Sequence, residues 1–242
     1  MVSKGKSTMS YGLVSLMGFS LVIAVALSRR FLIATWITVA NAIADIFAFN
    51  YMKSRVSKIT PKLALLAAVL IIPYLVFIKA YSLYLILPLS LLFIYAVFSY
   101  KKKLGLSYIA GSGFVSSISL IWYLMICSDV ESYVFATILS WTIFAIVIAI
   151  IVEYKLPFRK MNKVSLVGST SAIISIGATI TYLLTKNYVM LAMYVPSFVA
   201  VLLSGGKLKN VMELKRVGIN ATYSNIAFIV FALLIAYCGS CI

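Results

Sequence analysis

Residues 133–152 read YVFATILSWTIFAIVIAIIV, a run of twenty positions without a charge. Because an α-helix rises about 1.5 Å per residue, this run would cover about 30 Å, the thickness of the hydrocarbon core of a bilayer. Acidic residues frame it on both sides, with Glu131 before it and Glu153 after it. The segment therefore predicts a transmembrane helix, and the rest of the chain repeats this pattern.

The whole chain divides into apolar stretches of similar length. Of its 242 residues 64% are apolar, and the mean hydropathy is +1.11, a composition that a soluble core of this size does not need. The polar stretches between them are too short for a soluble domain, so we expect one integral membrane domain over 1–242, an all-α bundle. The nine predicted spans are 10–28, 31–52, 63–79, 81–99, 104–127, 133–152, 164–185, 188–204 and 219–238.

Two of these boundaries have alternatives. The division within 63–99 depends on a single charged residue, Lys79, although two spans fit its length better than one. The first span follows Lys4 and Lys6, as the apolar part of a signal peptide would, but no clean small-residue cleavage site comes after it. A membrane span is therefore the favoured interpretation of 10–28.

Lysine and arginine fall in alternate gaps between the predicted spans. If the N-terminus is inside, seventeen of the 21 lie on the inner side, and the outer side holds Arg29, Arg30, Lys79 and Lys186. Cytoplasmic loops of membrane proteins are enriched in these residues, so we predict a multi-pass protein of the cell (plasma) membrane, N-in and C-out. The net charge of +16 then indicates topology and contact with anionic membrane lipids, rather than a nucleic-acid partner.

The residue types limit the possible chemistry. The chain has no His, which excludes His-ligated metals, a haem with an axial His, and catalysis by Ser/His or Cys/His pairs. It also lacks Gln and is rich in Ile, Tyr and Lys, which is typical of thermophile proteins. Of the cysteines, Cys127 stands alone, whereas Cys238 and Cys241 form a CxxC pair that would form a disulfide, exchange thiols or be inert.

Small residues at or near helical spacing mark two of the spans. Such residues let helix backbones approach closely inside a membrane, so we expect tight helix packing there. They are Ala110, Gly111, Gly113 and Ser117 in span 104–127, and Gly168, Ala172, Ser175 and Gly177 in span 164–185.

Polar groups at membrane depth are few, and they are costly unless they face a cavity or a partner. Asn41 and Asp45 stand four residues apart, on one face of the second predicted span, and Glu153 ends the sixth at the same inner side. The two carboxylates therefore mark matching positions in two pseudo-repeated halves. Oxygen ligands of this kind suit Mg²⁺ together with substrate phosphates. The alternatives are structural salt bridges and, for Glu153, simple solvation.

The stretch 41–49, NAIADIFAF, resembles the N-D-x-x-D-x-x-x-D motif of the UbiA superfamily of intramembrane prenyltransferases. Lys53-Ser-Arg55 and Pro61 follow it, and 95–105, YAVFSYKKKLG, is similar to the family's Tyr-rich segment that runs into basic residues. Nine helices, N-in and C-out, fit the same family. The chain departs from the pattern at Ala42 and Phe49, where the motif has Asp.

The second Asp-rich motif of the family is reduced here to Glu153, and basic residues and a proline stand where further acids are expected. The resemblance implies a prenyl diphosphate held through Mg²⁺, with ionisation of its allylic C–O bond in an aromatic-lined tunnel. The catalytic and metal-binding residues that it implies are Asn41, Asp45 and Glu153. The substrate-binding residues that it implies are Arg55, Tyr95, Tyr100, Lys101, Lys102 and Arg159.

Three functions remain open from the sequence. The first is a divergent prenyltransferase, which moves an isoprenoid from its diphosphate to an apolar acceptor. The second is a non-catalytic scaffold or lipid-binding subunit of the same fold, which the loss of motif acids favours. The third is a small transporter or translocation-channel component in which Asp45 lines the pathway, although ion pathways usually contain several ionisable groups and the last three spans have almost none.

Overall fold

The structure, a computed structural model, describes residues 11–29, 33–53, 83–127, 129–208 and 213–239. Within these ranges every regular element is helical, which confirms the all-α prediction for the described part of the chain. The predicted span 63–79, Arg55 and Cys241 lie outside the described residues. The α-helices are α1 (Tyr11–Ser28), α2 (Ile33–Lys53), α3 (Ile86–Tyr100), α4 (Leu104–Ile126), α5 (Ser132–Lys155), α6 (Lys163–Thr185), α7 (Val195–Leu202) and α8 (Leu214–Gly239).

Five helical segments of the described chain are long and apolar enough to cross a bilayer. They are Leu83–Tyr100, Leu104–Ile126, Ser132–Lys155, Lys163–Thr185 and Arg216–Cys238. Shorter apolar helices occupy Gly12–Ser28, Ile33–Ala48 and Tyr188–Leu202. The chain thus has the helices of a membrane protein, whereas the number of nine spans and their orientation stay predictions.

The predicted span 188–204 is not one continuous α-helix. A 3₁₀ segment, Tyr188–Tyr194, leads into α7, and Pro196 stands in the first turn of α7. Proline has no N–H and is tolerated in the first turn of a helix but not in its interior, so the α-helix begins at this point. The two pieces together extend about 26 Å, slightly less than the hydrocarbon core.

Helix α5 forms the centre of the bundle and packs against α4, α6, α7 and α8. Along its membrane-length window 83% of the residues are buried, against 6% in the segment that contains α3. Helix α5 carries apolar residues on all of its faces, which is the pattern expected of a helix enclosed by other helices. The apolar run 133–152, which predicts a transmembrane helix, therefore also explains why α5 lies at the centre of the bundle.

The core around α5 is aromatic. The rings of Phe144 and Phe228 stack with centroids 4.5 Å apart, and Trp141 lies 5.6 Å from Phe228. The indole Nε1 of Trp141 donates a hydrogen bond of 3.0 Å to Ser20 Oγ on α1. This bond matters because a buried polar group without a partner is costly.

The termini of the helices come together at two opposite ends of the bundle. At the Arg29 end, the ends of α1, α4 and α8 lie beside the start of α5, and Tyr237 Oη donates to the Ala26 carbonyl over 3.1 Å. At the Glu153 end, α5 finishes beside the start of α4, and the Leu208 amide bonds to the Lys155 carbonyl over 3.0 Å. Helix α5 separates the two ends by about 35 Å.

Three of the predicted small residues pack closely against a neighbouring helix or segment. A Cβ at Gly113 would lie 2.8 Å from Ile146 Cδ1, and one at Gly111 would lie 3.2 Å from the ring of Tyr95. A Cβ at Gly177 would collide with Ile143. Tight helix packing is confirmed at these glycines, whereas the space beside Gly168 is open.

Candidate functional site

Asn41 and Asp45 form a buried polar pair on α2. The amide Nδ2 of Asn41 donates to Asp45 Oδ2 over 3.4 Å, as the i, i+4 spacing leads one to expect. Asn41 is 8% exposed and Asp45 4%, although other residues of the same helix, such as Phe47, are largely exposed. Because α2 packs against α1 and α4, the pair faces the bundle and not its periphery.

Glu153 lies in the last turn of α5, where it meets the start of α4. Its Oε2 is 2.8 Å from Arg159 Nε, an ion pair by distance although the N–H is not aligned for a hydrogen bond. A Cβ at Gly105 would lie only 2.7 Å from the same oxygen. Glu153 therefore occupies space that any other residue at position 105 would fill, beside the positive end of the α4 dipole.

Backbone contacts hold Arg159 in this position. The Arg159 amide bonds to the Leu156 carbonyl over 3.1 Å, which closes the turn after α5. The Lys207 ammonium donates to the Arg159 carbonyl over 2.5 Å, and Tyr154 Oη donates to the Gly205 carbonyl over 3.4 Å. The segment after α7 thus ties down the turn that supplies the partner of Glu153.

Asp45 and Glu153 lie on different helices, both of which pack against α4. Among the described residues no group of three or more Cys, Asp or Glu side chains is arranged to hold a metal ion. Asn41 and Asp45 fit a minimal Mg²⁺ site, because this ion takes one or two protein oxygens and completes its shell with water and phosphate. Glu153 fits less well because Arg159 already neutralises it, and its role as a magnesium ligand stays a prediction.

The predicted substrate-binding residues are dispersed. The ring of Tyr95 packs over Gly111 of α4, whereas Tyr100 is 89% exposed. Lys101 and Lys102 are exposed in the turn between α3 and α4, close in sequence to the Gly105 position that Arg159 approaches. The start of α4 therefore combines lysines, a guanidinium and the positive end of a helix dipole at one place.

Sequence reasoning missed other buried polar groups of the bundle. In the part of the chain that the structure describes, Ser197 Oγ, Ser204 Oγ and Asn225 Oδ1 are buried without a hydrogen-bond partner. Serine hydroxyls usually bond to their own helix backbone, as Ser116 does, so a serine in an apolar span is a weak signal of function. Asn225 was the stronger signal, because an amide in a membrane span needs partners.

Comparison with known proteins identifies no relative of this chain. No protein-family model, no curated protein and no solved structure matches the chain. The features that bear on function are the buried Asn41–Asp45 pair, the Glu153–Arg159 ion pair and the basic start of α4.

Proposed function

We propose that this chain is a multi-pass protein of the cell membrane that binds a prenyl diphosphate at its Glu153 end and transfers the isoprenoid to an apolar acceptor. The observation that carries the proposal is the buried Asn41–Asp45 pair. A carboxylate inside a membrane bundle is costly, and such residues mostly serve binding or transport. The resemblance of residues 41–49 to the UbiA motif points to the diphosphate as the ligand.

The basic residues near the start of α4 support an anionic ligand at this end. Lys101 and Lys102 are exposed, and the first amides of α4 provide the positive end of a 23-residue helix. In this proposal the lysines hold the diphosphate from the aqueous side. Asn41 and Asp45 hold one Mg²⁺ from the membrane side, through oxygens that the ion prefers.

The chemistry would be an alkyl transfer. The bond between the allylic carbon and the diphosphate oxygen breaks, its electron pair leaves with the diphosphate, and the acceptor forms a bond to that carbon and gives up a proton. When bound, Mg²⁺ would supply positive charge to the leaving group. Lys101 and Lys102 would add charge-assisted hydrogen bonds to the same oxygens.

A second candidate function is lipid binding without chemistry, in a scaffold or subunit of the same fold. The observation that favours it is the ion pair between Glu153 and Arg159, which occupies the one acid that remains of the second motif. Such a protein would bind the prenyl diphosphate or a related lipid phosphate and would release it unchanged.

The test is binding of geranylgeranyl diphosphate to the purified protein in detergent, with Mg²⁺ and with EDTA. We expect saturable binding that requires Mg²⁺ and that Asp45→Asn weakens at least about tenfold, since one lost ligand contact of about 1.4 kcal/mol has this effect. Glu213→Gln is the matched control, because it removes a carboxylate just before α8. An affinity that is unchanged by EDTA and by Asp45→Asn would refute the proposed site.

Prenyl transfer to a membrane extract, followed by release of diphosphate, then separates the two candidates. Release by the wild type but not by Asp45→Asn supports the transferase. Binding that depends on Asp45 without any release supports the lipid-binding subunit.

A further inference from the structure

Three polar side chains on α7, on the turn directly after it and on α8 are buried without a hydrogen-bond partner among the residues that the structure describes. They are Ser197, which is 0% exposed, Ser204, which is 3% exposed, and Asn225, which is 7% exposed. A polar group in apolar surroundings is costly unless something bonds to it. Because α7 packs against α8, the three groups belong to one region of the bundle.

The hydroxyl of Ser197 does not bond to the backbone of its own helix. Most other buried serines of the described bundle do so. Ser116 donates to the Ser112 carbonyl over 2.9 Å, and Ser140 donates to the Thr137 carbonyl over 2.8 Å. Such a bond is the usual way for a serine in an apolar helix to satisfy its hydroxyl. Ser197 is fully buried without it, so its hydroxyl needs a partner from outside α7.

Ser197 lies on the side of α7 that faces α5. Four residues before it, Met193 Sδ accepts a hydrogen bond from Ser140 Oγ of α5 over 3.5 Å. Helical positions four apart share a face, so Ser197 meets α5 one turn further toward the Glu153 end. From 143 to 152 α5 has only apolar side chains, which offer the hydroxyl no partner.

Asn225 meets the same part of α5 from α8. Phe228, three residues later on the same face, stacks on Phe144 of α5 with ring centroids 4.5 Å apart. Helix α8 runs toward the Arg29 end, so Asn225 lies about one turn from Phe228 in the direction of the Glu153 end. Ser197 and Asn225 therefore lie within about one helical turn of each other along α5, near its middle.

An aromatic cluster closes this region toward the Arg29 end. The rings of Phe144 and Phe228 stack, Trp141 lies 5.6 Å from Phe228, and all three residues are buried. The indole N–H of Trp141 is already bonded to Ser20 Oγ. The three unpartnered groups thus lie on the Glu153 side of a dry aromatic layer.

Ser204 extends the polar groups to the Glu153 end of the bundle. It stands seven residues after Ser197, which is two helical turns or roughly 10 Å along the chain. Its amide bonds to the Val201 carbonyl over 3.2 Å, so the helical course continues to this residue. The next carbonyl, that of Gly205, accepts a hydrogen bond from Tyr154 Oη in the last turns of α5. Polar groups therefore lead from the end of the bundle to its middle.

The chemistry of these groups selects the ligand. A serine hydroxyl donates and accepts, the amide oxygen of Asn225 accepts, and none of the three side chains is charged. An ion would find no opposite charge among them, and an apolar ligand would leave them unpaired. Water bonds to two to four such groups and is their common partner inside proteins.

We propose that α5, α7 and α8 enclose a narrow line of bound water, which enters at the Glu153 end past Ser204 and ends at Ser197 and Asn225. The aromatic cluster blocks it from the Arg29 end. The line is a half-pathway that brings water to the middle of the bundle from one side. It does not rest on the proposed prenyl transfer, because Asn41 and Asp45 lie on α2, which packs against α1 and α4.

The test follows exchange of a thiol proton in D₂O through the infrared S–H band, so that water itself is the probe. Ser197→Cys in the Cys238→Ser/Cys241→Ser background, in nanodiscs, places the thiol at the inner end of the line. Ser140→Cys is the matched control, since this serine is fully buried on α5. We expect exchange at least about tenfold faster in Ser197→Cys, because a dry thiol exchanges only when the bundle opens. Equal rates would overturn the proposal.

The route of entry is tested in the Ser197→Cys chain. Ser204→Val removes a hydroxyl and fills its space, and it should slow the exchange at least about threefold. Asn225→Leu removes the inner partner and should also slow it. Thr142→Val is the matched control, because the Thr142 hydroxyl bonds to its own helix over 2.9 Å, and it should leave the rate unchanged. With helical content and monodispersity preserved, an unchanged rate in Ser204→Val would overturn entry past Ser204, and an unchanged rate in Asn225→Leu would overturn the inner site.

Discussion

Glu153 lies against a position at the start of α4 that has no side chain. Its carboxylate is buried, paired with Arg159 at 2.8 Å, and it fills the space beside Gly105. A buried carboxylate is stable only with such partners, and removal of one partner leaves the other uncompensated. At the scale of the residue, Glu153 therefore has a structural task whether or not it also binds metal.

Gly105→Ala should destabilise the protein, although alanine is normally the better helix former by about 1 kcal/mol. The added methyl group displaces Glu153 Oε2 from Arg159, and we expect a loss of about 1–2 kcal/mol from the weakened pair. Thermal unfolding in detergent measures this effect. Gly168→Ala on α6 is the matched control, since nothing lies near its Cβ position, and it should be neutral or stabilising.

The ion pair between Glu153 and Arg159 also predicts that the effects of Gly105→Ala and Arg159→Gln on stability are coupled. Arg159→Gln should destabilise the wild type but have little further effect in Gly105→Ala, because the ion pair is already broken there. Additive losses in the double variant would show that Gly105 and Arg159 act separately. Such a result would remove the structural role assigned to Glu153.

At the scale of the element, glycines set how closely the helices approach. Gly177 of α6 faces Ile143 of α5, and Tyr194 of the following 3₁₀ segment lies at the same point, 3.0 Å from a Cβ built there. The hydroxyl of Tyr194 is bonded to Thr181 Oγ1 over 2.8 Å. A methyl group at position 177 fits only if the end of the Ile143 side chain moves aside and the Tyr194 ring gives way slightly.

Gly177→Ala should therefore cost about 1–3 kcal/mol, the usual cost of overpacking a core. Ile143→Val shortens the side chain that the methyl group meets, and it should restore much of the loss in the double variant. Melting temperatures of the two single variants and the double variant test this. Equal melting of wild type and Gly177→Ala would mean that Ile143 and Tyr194 accommodate the methyl group without cost, and it would contradict the prediction.

The sequence predicted some elements better than others, for physical reasons. Helices α1, α5 and α6 begin and end within a few residues of their predicted bounds, because uninterrupted apolar runs between charges define them. The span 188–204 was wrong as a continuous α-helix because Pro196 restarts the helix in its middle. The missing N–H of Pro196 determines where the α-helix begins, and the average hydropathy of the span does not reveal this.

The candidate site was predictable only where its contacts join residues close together in the sequence. The Asn41–Asp45 contact follows from i, i+4 spacing on one helix, so the sequence was sufficient. The partner of Glu153 was not, because Arg159 reaches it through the turn after α5, and Gly105 comes from another helix. A cavity of about 380 Å³ at the Arg29 end of the bundle was missed for the same reason, since residues from several helix ends line it.

At the scale of the whole molecule, the described cations separate between the two ends of the bundle. Lys101, Lys102 and Arg159 lie at the Glu153 end, while Arg29 lies at the other. The bias of lysine and arginine toward the cytoplasm then predicts that the Glu153 end faces the cytoplasm. The exposed Cys238, near the end of α8, would face outward.

Cysteine labelling in intact cells tests this orientation. A membrane-impermeant maleimide should label the wild type through Cys238, and Cys238→Ser/Cys241→Ser should abolish the signal, because Cys127 is buried. Lys101→Cys in that background should react only after the membrane is permeabilised. Labelling of Lys101→Cys in intact cells would reverse the topology and place the proposed diphosphate site outside.

The central claim is that a prenyl diphosphate binds beside the Asn41–Asp45 pair. The most direct measurement is photo-crosslinking of a benzophenone-bearing prenyl diphosphate analogue to the full chain in nanodiscs, with adducts mapped by peptide mass spectrometry. We predict Mg²⁺-dependent adducts concentrated on α2 and on α4 toward the Glu153 end, competed by geranylgeranyl diphosphate and reduced in Asp45→Asn. Adducts spread evenly over the exposed faces of α3, α6 and α8, unchanged by competitor or by Asp45→Asn, would contradict the claim.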